Sequence, residues 1–328
     1  MVDRSLTPPA YLPPAFPPLV EAFLDWARVE RGFSAQTIST YRRLITRFVA
    51  EAYVPTAQAI TAAHVLRVKR ALMNRGCSAS YIATIMLAIR SFLTYCRDIG
   101  GIAVLDPKLV TPPRRPRKPV TFLTRDEVER FIGSIKLETR WDGRTRRRRA
   151  YLPGVLFRGL VEVLLGTGMR ISEALSLNRT DIDWVKQEAR VTGKGAKTRT
   201  VFFTSRSLHW LKRFVELRRD SRPEIFVTEN GRMPMNRHMV GRRFRYQSKK
   251  AGLNKGVTAH MLRHTVATTL MFNGCPMGHI KEILGHERLD TTCRYYLGLD
   301  QREARKAHER YLRYEADDNS EATSINGF

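Results

Sequence analysis

Acidic residues are scarce in this chain: 31 Asp and Glu stand against 57 Lys and Arg in 328 residues, a formal net charge of +26. A surface so unbalanced attracts polyanions, and nucleic acid is the first candidate. Cysteine is scarce too. Cys77, Cys96, Cys275 and Cys293 show no metal-like pair spacing, which argues against a disulfide framework and fits a reducing compartment. No run of about twenty apolar residues occurs, so no membrane span is expected. The opening MVDRSLTPPAYLPPAFPP lacks the basic-then-apolar pattern of a secretion signal, and its prolines oppose any long helix. The expectation is therefore a protein that works in the cytoplasm, where it is made. No internal repeat is visible.

What is present suits a folded protein. The 43% hydrophobic content is ordinary for a globular chain, and the length allows two domains with separate cores. After the proline-rich extension, residues 1–18, helical patterns occupy 19–31, 34–52, 61–75 and 78–99. In the second of these Ile38, Tyr41, Leu44, Ile45 and Phe48 form one stripe, leaving Arg42, Arg43 and Arg47 for solvent or phosphate. Ser34, Thr61 and Ser78 stand where N-caps belong. A small basic bundle results, spanning 19–103.

Residues 104–122 read as an extended cationic linker, because Pro112, Pro113, Pro116 and Pro119 alternate with Arg114, Arg115, Arg117 and Lys118. Thr124-Arg125-Asp126-Glu127 is a capping box opening a second domain, 123–314. This half is mainly helical, at 124–136, 153–166, 172–177, 206–218, 236–251, 260–273, 277–284, 291–297 and 301–314. A strand-like hairpin, EARVTGKGAKTRTVFFT, interrupts the helices with a Gly-Lys-Gly turn. The arginine-rich stretch 144–149, with Arg146 and Arg147, reads as an exposed loop suited to phosphate. The segment 315–328 carries four acidic residues and no basic one, and reads as a disordered tail.

Three segments carry chemistry. In LLGTGMRISEAL, Gly166 and Gly168 end an apolar helix and deliver Arg170 to the start of the next, where a guanidinium fork can meet a phosphate; Glu173 lies one turn on and could orient it. Taken alone, this could be a surface ion pair. The hairpin turn offers Lys194, which is either a solvated tip or a proton donor inserted into a nucleic-acid groove. In TAHMLRHTVATTLMFNGCPMGHIKEILGHERLDTTCRYYLGLD, His260 and Arg263 share a helix face, His286 follows a glycine, and Tyr295 comes nine residues after it. Two arginines, histidines, a lysine and a tyrosine are a toolkit for attack on a phosphodiester without metal. A zinc site built on His260 and His264 is the weaker reading, since neither a His-Glu-x-x-His motif nor a nearby cysteine pair supports it.

With these residues in order, the sequence resembles the tyrosine recombinase/integrase family, which includes phage integrases, Xer-type recombinases and transposon resolvases. The resemblance runs from about residue 19 to 314. It rests on Thr-Gly-Met-Arg-Ile-Ser-Glu, Gly-Lys-Gly-x-Lys-x-Arg, His-x-Leu-Arg-His, and Leu-Gly-His followed by Thr-Thr-x-x-Tyr. It implies a two-domain, C-shaped DNA clamp made of a helical, SAM-like core-binding domain and a mainly α catalytic domain with a small β-hairpin sheet. It also implies roles. Arg170 and Arg263 would hold the scissile phosphate, Lys194 would protonate the departing 5′ oxygen, His260 would move a proton, His286 would hydrogen-bond the phosphate, and Tyr295 would form a 3′-phosphotyrosyl bond, with Glu173 in support. Phosphate contacts are expected from Arg42, Arg43, Arg114, Arg115, Arg117, Lys118, Arg146, Arg147, Lys197 and Arg199.

By the same resemblance, no cofactor, metal or ATP is needed. Four copies would act on paired core sites in double-stranded DNA and pass through a Holliday junction, with room for a second recombinase or an accessory protein. The enzyme would be cytoplasmic and nucleoid-associated. The helix at 301–314 could dock on a neighbour or on its own domain. Tyr296 follows Tyr295, so spacing favours Tyr295 without excluding its neighbour. The plan is nearest to Xer-like or transposon-borne enzymes. A type IB topoisomerase and a catalytically dead DNA-binding regulator remain the competing readings.

Overall fold

The computed structural model describes residues 13–114, 120–137, 139–142, 147–150, 152–193, 198–218, 220–228 and 233–285. For 139–142, 147–150 and Leu152 only the backbone is described. The chain divides into two compact units between Lys118 and Pro119.

Four helices make the first unit: α1 (Phe16–Val29), α2 (Ala35–Ala52), α3 (Ala62–Asn74) and α4 (Ala79–Asp98). Helix α1 starts earlier than the prolines suggest. Pro17 and Pro18 sit in its first turn, where no N–H need be donated, and Phe16 is fully buried. Ser34, Thr61 and Ser78 cap α2, α3 and α4 by accepting from the N–H groups of Thr37, His64 and Tyr81. Phe16, Phe23, Phe48, Phe92, Leu44 and Ile89 fill the core, and Phe23 meets Phe92 edge to face at 5.7 Å.

Helix α4 is, among the described residues, the one long and apolar enough to cross a membrane by length and composition. Ile82, Ile85, Met86, Ile89, Phe92 and Leu93 on it are buried in the bundle core. Arg47, expected to face solvent, is instead largely buried beside Glu51 at 3.7 Å. The segment read as the start of a linker is also packed. A 3-10 turn at Pro107–Leu109 follows α4, and Val110 is fully buried in the same core.

The second unit is built on α6 (Leu152–Thr167), whose Val155, Leu156, Phe157, Leu160, Val161, Val163 and Leu164 are all buried. Packed on it are α8 (Ser205–Leu217) and α10 (Ala259–Phe272). Around these lie α5 (Arg125–Gly133), α7 (Ile171–Leu175), α9 (Arg237–Lys250) and α11 (Met277–Leu284). The Thr124/Glu127 capping box opens α5 as its sequence requires. Phe131, Phe157 and Phe244 form an aromatic triangle that ties α5, α6 and α9 together.

Two small sheets accompany the helices. The expected hairpin is β4 (Glu188–Thr192) against β5 (Thr198–Phe202), in register from Glu188↔Phe202 to Thr192↔Thr198. A short strand, β3 (Ile182–Asp183), adds antiparallel to β4 and makes the sheet three-stranded. The other sheet corrects part of the reading of 144–149 as a loop: β1 (Thr139–Asp142) pairs antiparallel with β2 (Arg147–Ala150), which takes in 147–149, while 144–146 lie outside the described residues. Backbone pairing does not require apolar side chains, so a hairpin this polar leaves no hydrophobic alternation to read.

Candidate active site

At the end of α6 the chain must turn sharply to begin α7. Thr167 donates to the carbonyl of Val163 and accepts from the N–H of Met169, and Gly168 takes a left-handed backbone at φ 63°. A Cβ at Gly168 would lie 2.6 Å from Cδ2 of Leu284, so only glycine suits both the turn and the packing. Arg170 follows in extended backbone at the α7 N-cap. Glu173 reaches back to it: Oε2 accepts from the Arg170 N–H at 2.8 Å, and Oε1 accepts from Arg170 Nη1 at 2.7 Å.

Glu173 is buried, and a lone buried carboxylate would be costly. A third donor completes its shell, Arg199 Nη2 on β5 at 2.9 Å. Burial alone would raise the Glu173 carboxyl, but the Arg170 N–H together with the Arg199 and Arg170 charges outweighs it and holds the group below the ordinary range.

The second arginine comes from α10, whose N-cap Thr258 accepts from the N–H of Met261. Arg263, one turn in, is buried; Nη1 donates to the carbonyl of Gly168 at 2.9 Å and Nη2 to that of Leu284. His260 lies at the surface one turn before it. Partial desolvation and the nearby Arg263 and Arg170 charges lower its pKa. Its ring meets that of His264 edge to face at 4.2 Å. Burial, with His260 and Arg263 beside it, pushes His264 down to about 4. Both imidazoles are therefore neutral at neutral pH, and a neutral imidazole can accept a proton.

Helix α11 closes the group. It ends at Gly285 in a left-handed cap, φ 62°. Three successive carbonyls there are taken by three guanidiniums. Ile283 accepts from Arg199 Nη1 at 2.7 Å, Leu284 from Arg263, and Gly285 from Arg170 Nη2 at 2.8 Å. Three arginines against one carboxylate leave the cluster net positive, a setting suited to an anion.

The structure thus brings Arg170, Glu173, His260 and Arg263 together. Lys194, Lys197, His286, Tyr295, Tyr296, Arg115, Arg117, Lys118 and Arg146 lie outside the described residues, as do the expected helices at 291–297 and 301–314 and the acidic tail. Arg147 has its backbone in β2 and its side chain outside the description. Arg42, Arg43 and Arg114 are exposed, and Arg42 pairs with Glu21.

Arg199 is the departure. Expected on DNA, its side chain is only 16% exposed and is held by Glu173 and Ile283. Strand alternation carried the signal: Arg199 stands two residues before the buried Val201 and opposite the buried Val191, on the inward face. Cys96 is fully buried, which pushes its thiol up to about 12, while Cys275 is half-buried.

Both units of the chain resemble known proteins. Residues 121–303 match the model of the phage integrase family, and residues 20–98 match the phage integrase N-terminal SAM-like domain. Tyrosine recombinase XerC of Yersinia pestis is 31% identical over 289 residues, covering 86% of this chain and 90% of that protein. Tyrosine recombinase XerD of Oceanobacillus iheyensis is 30% identical over 286 residues, covering 83% and 91%. Among solved structures, the Tn1549 transposon integrase in complex with transposon right end DNA superposes with a TM-score of 0.70 at 20% identity, covering 90% of this chain and 99% of that one. A lambda integrase dimer bound to a core site gives 0.69 at 16% identity, covering 86% and 96%. The fold is that of the tyrosine recombinases, and the relatives make this chain a tyrosine-type site-specific DNA recombinase. The chain belongs to the phage integrase family.

Proposed function

We propose that this recombinase cleaves one DNA strand by attack of the Tyr295 phenol on a phosphodiester held by Arg170 and Arg263. The observation that carries the proposal is the convergence of those two guanidiniums, from helices α7 and α10, on the carbonyls of Gly285 and Leu284, immediately before His286. The Tyr295 Oη–phosphorus bond forms as the bond from phosphorus to the 5′ oxygen breaks. His260, neutral by virtue of its surroundings, receives the phenolic proton, and Lys194 gives a proton to the departing 5′ oxygen, which leaves as a hydroxyl. Arg170, Arg263 and His286 offset the charge that grows on the non-bridging oxygens. Glu173 holds Arg170 in its fork geometry. The ester keeps the bond energy, so the reverse attack by a 5′ hydroxyl rejoins the strand without ATP.

In this reading the partner is double-stranded DNA. Residues 19–103 act as the core-binding domain, 123–314 as the catalytic domain and 104–122 as the connection between them. Exposed Arg42, Arg43 and Arg114, with Arg115, Arg117, Lys118, Arg146, Arg147 and Lys197, contact the backbone. Four protomers act on two core sites through a Holliday junction, in the cytoplasm on the nucleoid. The helix at 301–314 is the segment suited to join neighbours.

The test is to incubate the full chain with a random-sequence pool of nicked duplexes, then separate species under denaturing conditions. A protein–DNA adduct whose trapped sequences share a motif is the expected result. Tight binding without any adduct would turn the assignment toward a regulator.

A further inference from the structure

Arg199 bridges three parts of this site. Its Nη2 donates to Glu173 of α7 at 2.9 Å, its Nη1 donates to the carbonyl of Ile283 at the end of α11 at 2.7 Å, and its own backbone lies in β5. A Cβ built at Gly285 would come within 2.5 Å of Arg199 Cδ and Nε, so the guanidinium stem runs directly against the glycine that caps α11. In sequence, β5 follows the turn carrying Lys194 by one residue beyond Lys197, and Gly285 precedes His286.

We infer that Arg199 is a positioning residue for strand cleavage: it fixes the base of the Lys194 hairpin, the carboxylate that orients Arg170 and the chain leading into His286 as one unit. The inference rests on the proposed roles of Arg170, Lys194 and His286. Arg199 does not touch the reacting atoms. Its Nη2 and Nη1 are taken by Glu173 and Ile283, its Nε is buried without a hydrogen-bond partner, and the side chain is too enclosed to serve as one more backbone phosphate contact.

Two consequences separate positioning from simple stability. First, a planar fork can satisfy a carboxylate and a carbonyl at once, whereas an ammonium on a flexible stem meets both poorly. Second, the charges acting on Glu173 are Arg199 from β5 and Arg170 from its own helix segment. Removing Arg199 raises the Glu173 carboxyl toward its ordinary value, so Arg170 loses its orienting partner at a higher pH than before.

The experiment uses the full chain with Arg199→Gln and Arg199→Lys, and a nicked duplex recovered as adduct from the random pool. It measures DNA affinity, the single-turnover rate of adduct formation with protein in excess, and the pH dependence of that rate. For Arg199→Gln the expected result is affinity unchanged and cleavage slowed by about a hundredfold, the scale of loss that a small misplacement brings. The acid limb of the pH profile moves to higher pH. Arg199→Lys keeps the charge and gives up one of the two contacts, so its rate falls between the other two and its acid limb stays near that of the unaltered chain.

Wild-type cleavage rates in both variants would overturn the inference. So would a loss of affinity that accounts for the whole loss of rate, which would make Arg199 a phosphate contact. If Arg199→Gln does not fold, the lysine variant alone decides, since a wild-type rate there contradicts the bridge. Failure of the unaltered chain to form any adduct would instead reject the catalytic assignment itself.

Discussion

Gly168 carries two constraints at once. Its φ of 63° delivers Arg170 to the α7 N-cap, and its carbonyl accepts from Arg263. The Gly168→Ala substitution places a Cβ against Leu284 and Val266 in a backbone region unfavourable to L-residues. A loss of about 2–4 kcal/mol is expected, measurable by urea unfolding, with adduct formation falling more steeply than DNA affinity. Unchanged stability would mean that the turn relaxes at no cost and that its geometry is not what fixes the arginine pair. The types of the site residues were legible, because Thr-Gly-Met-Arg and His-x-Leu-Arg-His set charged groups at fixed helical spacings. Their partners were not. Arg170 reaches a carbonyl 115 positions away and Arg199 one 84 positions away, and no local pattern encodes a side chain bonding to distant backbone.

Among elements, α10 carries a built-in acid sensitivity. His264 titrates near 4 in the fold against 6.5 unfolded, so the unfolded chain binds more protons at pH values between the two. Its contribution is complete above 6.5, declines as pH falls below that value, and is lost once pH passes through about 4. Acidification across this window should destabilise the chain by about 2 kcal/mol, less than full linkage because the ring keeps some access to water. The stability of the unaltered chain relative to His264→Asn should stay level above pH 6.5 and fall as the pH drops from 6.5 to about 4; a constant offset would contradict this origin.

Element existence was read well wherever an apolar stripe or a capping residue marked it, as in α2, α4 and α5. It was read poorly where neither signal existed. β3 has only two residues, and the strand Arg147–Ala150 has backbone pairing without an apolar face. The proline-rich entry into α1 misled because Pro opposes a helix interior but suits a first turn.

For the molecule as a whole, the charge imbalance of +26 sets how it meets DNA. Affinity should fall by about 10³-fold or more between 50 and 200 mM salt if at least six phosphates are contacted. Fluorescence anisotropy on a labelled duplex measures it, and a flat response would dissociate the basic surface from binding. Composition made this scale the most legible, since a charge excess survives any arrangement of the fold. It cannot separate a recombinase from a DNA-bound regulator; that distinction lies with the phenol.

The most direct test is therefore the covalent adduct on a nicked duplex recovered from the random pool, compared among the unaltered chain, Tyr295→Phe and Tyr296→Phe. The account predicts a denaturation-resistant band with the unaltered chain and with Tyr296→Phe, and none with Tyr295→Phe. A band that survives Tyr295→Phe, or one that disappears only with Tyr296→Phe, would contradict it.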